Sequence, residues 1–166
     1  MRIEFSVHGR IAGSGSKTAM PRRGKNTDPN KLMRPMMVPA SKYSKPWMKL
    51  VATHAKLAYC GTLLTGPLCT RMNFIIERPN NHYGTGRNAG VLKDGAPAYP
   101  HQRAWPDLTK LCRATEDALE GIIFKNDKQV VEQHNTVMYG KPMGVIIIID
   151  TLNKPIELIH MMNNML

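Results

Sequence analysis

Alternating and helically spaced apolar positions divide the chain into short strands and two helices. Ile3, Phe5 and Val7 alternate with polar residues, which is typical of a strand. Trp47 and Val51 recur at helical spacing, which predicts a helix. The predicted elements are strands over 2–11, 68–77, 129–139 and 143–150 and helices over 46–60 and 107–120. This order predicts an α+β fold with two main helices and a mixed, mostly antiparallel sheet.

The strand over 143–150 is continuously apolar, so we expect it in the centre of the sheet. Three segments lack any hydrophobic period. Residues 12–46 are interpreted as a long basic loop that becomes ordered on binding, 79–105 as a second loop and 152–166 as a Met-rich tail. With 166 residues and no internal repeat, residues 1–166 are expected to form a single domain.

The charge balance changes the picture, because it points to a polyanionic partner. The formal net charge is +11, and residues 1–50 hold eleven Lys or Arg against only Glu4 and Asp28. Such an uneven basic surface is typical of nucleic-acid binding. No apolar stretch reaches the roughly 18 residues of a membrane span, and the N-terminus lacks the apolar core of a signal peptide. We therefore expect a cytoplasmic protein, in a bacterial or phage-infected cell, without a membrane partner.

Cysteine and histidine give no metal signature in the sequence. Cys60, Cys69 and Cys112 are scattered without a CxxC pair, so neither a disulfide framework nor a Cys-based zinc site is expected. No pair of histidines follows the zinc-protease spacing. His134 lies near a group of acidic residues, and we interpret it as a strand residue rather than a ligand.

The acidic residues are concentrated in one segment. Six of the twelve fall between positions 107 and 132, namely Asp107, Glu116, Asp117, Glu120, Asp127 and Glu132. Carboxylate oxygens are the ligands that Mg²⁺ prefers, and a bound Mg²⁺ can activate water against a phosphodiester. The concentration of carboxylates in a basic protein therefore suggests a metal site.

Helical geometry places part of this segment on one face. In a helix over 107–120, the polar arc contains Thr109, Lys110, Arg113, Glu116, Asp117 and Glu120. The alternative is an amphipathic surface helix with Asp107 as its N-cap. Asp127 lies in a Lys-rich turn before the strand over 129–139, and we expect it to face the start of the helix. A turn Asp that caps its own backbone is the alternative there.

These residues also carry a resemblance to the RusA family of Holliday-junction resolvases. The matching stretches are WPDLTKL at 105–111, Arg113, Asp117-Ala118-Leu119, Gly121 and NDKQVV at 126–131. The family motif has a Pro-Asp-x-Asp-Asn-Leu-x-Lys helix start, an Asp-Ala-Leu, a Gly and an Asp-Asp-x-Gln-Val-Val turn. The spacing holds across the helix, the turn and the strand.

The resemblance implies a dimeric, Mg²⁺-dependent nuclease that nicks four-way DNA junctions, with Mn²⁺ as a possible substitute, and it suggests a phage-type member. The catalytic residues that it implies are Asp107, Asp127 and Arg113. The metal ligands expected are Asp107 and Asp127, which the resemblance implies, and Asp117 in place of the missing second helix acid. The residues expected to contact DNA are Lys110, Lys125, Lys128, Arg103, Arg22, Arg23 and Lys25.

Several positions depart from the family pattern. The second helix acid falls on Thr109, the following Asn on Lys110, the helix Lys on Arg113 and the first turn Asp on Asn126. Loss of an acid at Thr109 removes one anionic ligand. Asp117 or a water could fill the gap, metal binding could be weaker, or the protein could bind junctions without cutting them.

The leading hypothesis is thus a homodimeric endonuclease for branched DNA in recombination and repair, since two-fold symmetry matches a four-way junction. The first alternative is a non-catalytic junction-binding protein that uses the same basic surface. A nucleotide phosphohydrolase is a weaker alternative, because nothing else in the chain recognises a base or a sugar.

Overall fold

The computed structural model describes residues 1–14, 17–20, 36–39, 42–101 and 107–152. Within these ranges the chain forms six strands and two α-helices. In chain order they are β1 (Arg2–His8), β2 (Lys17–Met20), β3 (Met36–Pro39), α1 (Ser44–Ala58), β4 (Leu68–Ile76), α2 (Leu108–Leu119), β5 (Val130–Tyr139) and β6 (Gly144–Thr151). Short 3-10 turns lie at Asn80–His82, Gly86–Asn88 and Asp127–Gln129.

The main sheet has the strand order β1-β6-β4-β5. β6 pairs antiparallel with both β1 and β4, whereas β4 and β5 run parallel. The predicted α+β class, the mixed, mostly antiparallel sheet and the central place of the strand near 143–150 are therefore confirmed. β5 is an edge strand, and it follows directly on the Asp127–Gln129 turn.

The two faces of this sheet differ in composition. On the covered face, which packs against α1 and α2, strand registry aligns Ile3 with Ile149, Val7 with Val145, and Phe74 with Val145. These side chains are almost fully buried, and each contributes roughly 1.5 to 3 kcal/mol of hydrophobic stabilisation. The open face is the opposite one, and its residues include Glu4, Cys69, Arg71, Glu132 and His134. Ile146 and Ile148 lie there half-buried, so the apolar run of β6 is fully buried on one face only.

Helix α1 is shifted by two residues from the predicted range 46–60, since it begins at Ser44 and ends at Ala58. Its buried stripe contains Trp47, Val51 and Ala55, spaced four residues apart. Leu57 lies off this stripe and is 77% exposed.

Helix α2 follows the predicted arcs closely. Leu111, Cys112, Ala114, Thr115, Ala118 and Leu119 are buried on the side opposite the predicted polar arc. Packing of α2 against α1 and the beginning of β5 buries this stripe. The polar arc remains exposed, with the exception of Glu116, which is half-buried.

The sequence suggested that the basic segment 12–46 is one long loop, but part of this segment forms strands. β2 and β3 form a two-stranded antiparallel ribbon in which Lys17 pairs with Pro39 and Met20 with Met36. The Thr-Ala-Met and Met-Met-Val runs suit a strand, but they are too short to show a period beside so many Gly, Pro and Lys residues. Residues 21–35 and the tail 153–166 lie outside the described residues.

Candidate active site between helix α2 and the turn before β5

Asp107 occupies the N-cap position of α2, but its side chain makes no capping hydrogen bond. Its carboxylate instead lies 2.9 Å from the ammonium of Lys110, and both side chains are largely exposed. The alternative interpretation is therefore confirmed in placing Asp107 at the N-cap of an amphipathic helix, although the side chain itself does not cap the backbone. An exposed ion pair of this kind contributes little to stability, which leaves the carboxylate available for another role.

The turn at Asp127 is held by its neighbours. The Asn126 side chain accepts a hydrogen bond from the Lys128 backbone at 3.0 Å, and the Gln129 side chain accepts one from the Asn126 backbone at 3.1 Å. Gln129 also donates to the Leu64 carbonyl at 2.9 Å, which ties the turn to the chain before β4. Within the described residues the Asp127 carboxylate accepts no hydrogen bond, so the self-capping interpretation of this Asp is wrong. Asn126 supplies the capping oxygen where the family has Asp.

Glu116 lies halfway along α2 and was not singled out as a ligand from the sequence. Burial, together with the negative charges of Asp127 and Asp117, raises its pKa to about 7. In the described part of the chain, the only hydrogen bond to its side chain comes from the Gln133 amide on β5. The structure thus brings Asp127 near the middle of α2, whereas the sequence led us to expect it near the start.

Asp107 and Asp117 are not brought together. Ten residues of helix separate them, which corresponds to about 15 Å along the axis. Among the described residues, the group of three potential ligands that lie within 4.8 Å of one another is Cys69, Glu132 and His134. The carboxylates of Asp107, Asp117 and Asp127 do not form such a group of three.

The chemistry of the acidic group nevertheless fits a hard divalent cation. Glu116, Asp117 and Asp127 offer only carboxylate oxygens, and the pKa of Glu116 is raised by burial and then by the negative charges of Asp127 and Asp117. Mg²⁺ commonly binds one or two carboxylates and completes its shell with waters and substrate phosphate. Asp127 alone or with one partner is sufficient for such binding.

Cationic side chains surround this region. Arg113 and Lys110 are exposed on α2, three residues apart and hence on neighbouring positions of one face. Lys125 and Lys128 are exposed on either side of Asp127. The other residues expected to contact DNA, namely Arg22, Arg23, Lys25 and Arg103, lie outside the described residues.

Burial of Glu116 could not be predicted from the sequence. Its helical position lies on the polar arc, and only the packing of β5 across α2 turns that position inward. The one available signal was the proximity of Glu116 to Asp117 within the acidic segment. The Cys69, Glu132 and His134 group was also missed, because its members are far apart in the sequence and meet through strand pairing.

Comparison with known proteins supports the resemblance seen in the sequence. A family model described as endodeoxyribonuclease RusA matches residues 16–150. A relative described as the uncharacterized protein YqaN of Bacillus subtilis (strain 168) is 26% identical over 149 residues, which covers 89% of this chain and 94% of the relative. Within the described residues, neither α-helix is long and apolar enough to cross a membrane.

Proposed function

Since the chain belongs to the RusA family of endodeoxyribonucleases, we propose that it is a Mg²⁺-dependent enzyme that resolves four-way DNA junctions by paired nicks. The observation that carries this proposal is the state of Asp127. Its turn is capped by Asn126 and Gln129, so the carboxylate is not used by the backbone. Its negative charge adds to the effect of burial in raising the pKa of the neighbouring Glu116, and a divalent cation would offset this repulsion between carboxylates.

We propose that Asp107 and Asp127 hold the ion, as the family motif implies, with waters and the scissile phosphate as its other ligands. When bound, Mg²⁺ supplies an activated water and balances charge on the phosphoryl group. Lys110 holds the Asp107 carboxylate in place through their ion pair. Arg113, one turn further along α2, is proposed to stabilise negative charge on the phosphodiester.

Asp117 has a different place in this proposal from the one expected from the sequence. It lies about 15 Å along α2 from Asp107, so the two are not proposed as ligands of one ion. Its charge acts on Glu116, which lies beside Asp127. Together these residues make the turn side of the site strongly anionic and raise its attraction for a cation.

DNA binding is supported by the charge distribution. The whole chain carries a formal net charge of +11, although the proposed metal site is itself acidic. Lys125 and Lys128 are exposed beside Asp127, where they would contact the phosphates that flank the bond to be cut. Neutralisation of phosphates in this way makes affinity strongly dependent on salt.

A homodimer is proposed from the symmetry of the substrate. A four-way junction presents two equivalent strands, and a two-fold dimer places one site on each. β5 is an edge strand with Val131 and Met138 exposed, and an unpaired strand edge of this kind supports the proposal of association through it. Sedimentation velocity should give a dimer mass, and a monomer mass at assay concentration would contradict this part of the proposal.

The test of the function is cleavage of a synthetic four-way junction, with a linear duplex of the same sequence as the control substrate. We expect paired nicks in the junction with Mg²⁺ or Mn²⁺, none with EDTA, and little cutting of the duplex. Equal cleavage of both substrates would contradict junction selectivity. Tight junction binding without cleavage under either metal would favour the non-catalytic alternative, for which the loss of an acid at Thr109 is the supporting observation.

A further inference from the structure

The open face of the sheet brings a thiol, a carboxylate and an imidazole together. Cys69 on β4 pairs with Glu132 on the neighbouring strand β5. His134 lies two residues further along β5, on the same face. One ligand atom from each of these side chains lies within 4.8 Å of the other two. The group is separate from the acidic site, which lies between α2 and the turn.

The separations are close to those that a single tetrahedral ion requires. Bonds of about 2.3 Å to sulfur and about 2.0 Å to nitrogen and oxygen place ligand atoms about 3.3 to 3.6 Å apart. The His134 Nε2 and Glu132 oxygen now lie 2.5 Å apart, in a hydrogen bond that an ion would replace. Small side-chain rotations would therefore be enough to place all three around one metal.

We propose that Cys69, Glu132 and His134 form a binding site for a borderline divalent transition metal, with Zn²⁺ as the best match. Thiolate and imidazole ligands suit Zn²⁺, whereas Mg²⁺ selects oxygen ligands and avoids sulfur. This site would thus take a different class of metal from the proposed nuclease site. Three protein ligands leave a fourth position, which a water can fill because the His134 side chain is 58% exposed.

The surroundings of Cys69 are compatible with a bound thiolate. The Sγ atom lies beside Arg71, whose positive charge lowers the pKa of the thiol, although burial raises that pKa more strongly. Asp150, on the other neighbouring strand, is paired with Arg71. Metal binding would release the thiol proton to solvent, and the resulting thiolate would be balanced by the ion and by Arg71.

An ion at this position would join two strands that are far apart in the sequence. Cys69 stands near the beginning of β4, and Glu132 and His134 stand near the beginning of β5, shortly after the turn that carries Asp127. The metal would therefore hold the parallel β4–β5 pair together next to the proposed active site. The simpler alternative is a hydrogen-bonded trio in which Glu132 accepts from His134 and Cys69 without a metal.

The test is titration of the full-length, reduced and metal-free protein with Co²⁺, which substitutes for Zn²⁺ and absorbs light. We expect one ion per chain, a near-ultraviolet thiolate charge-transfer band, displacement by Zn²⁺ and no displacement by a large excess of Mg²⁺. Cys69→Ser should lose the band, while Glu132→Gln and His134→Ala should weaken binding by at least about 10-fold. Because the titration measures metal binding, its outcome is independent of whether the protein cuts junctions.

Matched controls separate this site from the other cysteines and acids. Cys60→Ser changes an exposed thiol on another element, and Glu4→Gln changes a carboxylate on the same open face. Both should bind Co²⁺ as the wild type does. Should Cys69→Ser fail to fold, His134→Ala alters an exposed side chain and should abolish the rise in Tm that Zn²⁺ gives the wild type. Bound Co²⁺ without a thiolate band, or a band that depends on Cys60 or Cys112, would overturn the proposal.

Discussion

Two glutamates in this molecule, Glu116 and Glu132, have pKa values shifted in opposite directions. Burial and the neighbouring charges of Asp127 and Asp117 raise the pKa of Glu116 to about 7. A hydrogen bond from His134 lowers the pKa of Glu132, with further contributions from Cys69 and Arg71. Among the described residues Glu116 has no ion-pair partner, whereas Glu132 already has hydrogen-bond donors and a cation beside it.

This difference assigns the two regions to different chemistry. The α2–turn region offers oxygen ligands with uncompensated negative charge, which a hard cation and a phosphodiester can use together. The open face offers a thiol, a carboxylate and an imidazole that already contact one another. This mixed set of ligands suits a transition metal, which forms more covalent bonds to sulfur and nitrogen than Mg²⁺ does. Changes to residues of the α2–turn region should affect cleavage and its pH dependence. Changes to residues of the open face should affect Zn²⁺ binding.

The largest effect is expected from the proposed ligands of the acidic region. Asp127→Asn should reduce junction cleavage by at least about 100-fold, because it removes a direct ligand of the metal. Loss of a residue that only hydrogen-bonds to a metal ligand already costs about 10- to 100-fold. Asp107→Asn should act in the same way. Both should keep junction affinity, since each variant is more positive than the wild type. Cleavage rates and gel-shift affinities measure these outcomes.

Asp94→Asn is the matched control for these two variants, because Asp94 is an exposed acid in the 79–105 loop. It should cleave at the wild-type rate. Loss of folding in Asp107→Asn or Asp127→Asn, detected by circular dichroism, would indicate that the carboxylates support the structure rather than the chemistry.

Glu116→Gln should stabilise the metal-free protein at about pH 8. The folded-state pKa of about 7 lies above the ordinary value of 4.5, so folding favours the protonated form. That contribution is complete below pH 4.5 and is lost as the pH rises to about 7. After allowance for partial solvent contact, the gain from Gln is about 2 kcal/mol, or about 4 to 8 °C in Tm.

The pH dependence provides the internal check on Glu116→Gln. Wild type and variant should have the same Tm at about pH 4 and should separate between pH 4.5 and 7. Glu120→Gln, an exposed acid at the end of α2, is the control and should show no such separation. A variant that is less stable at every pH would mean that the hydrogen bond from Gln133 requires the carboxylate, contrary to this prediction.

Smaller effects are expected from the lysines around Asp127. Lys125→Gln and Lys128→Gln should each weaken junction binding a few-fold and reduce the log–log salt slope by about 0.9, the contribution of one phosphate contact. Binding measured at several salt concentrations gives the slope. Lys56→Gln is the control, because Lys56 lies in the last turn of α1. An unchanged slope in both turn variants would place the DNA elsewhere on the protein.

The fold was largely predictable because its elements have clear periods. β6 is a run of Ile and Val between Gly144 and Asp150, and its central place follows from that composition. β2 and β3 were missed because each has four residues, too few to show alternation. In the site, the Asp107 and Asp127 positions follow from a local motif. The burial of Glu116 and the meeting of Cys69 with Glu132 depend on strand pairing over long sequence distances.

The smallest change is expected at Thr109, where the family has an acid. Thr109→Asp adds a carboxylate one turn before Arg113, so the Mg²⁺ concentration for half-maximal cleavage should fall a few-fold, because affinity for hard cations rises with carboxylate charge. Thr109→Asn, similar in size but uncharged, should leave it unchanged. A higher Mg²⁺ requirement in Thr109→Asp, together with an inactive Asp117→Asn, would contradict the hypothesis that Thr109 leaves a metal-ligand position unfilled. The added charge would then repel carboxylates that already fill the coordination sphere, and Asp117 would be one of the ligands despite its distance from Asp107.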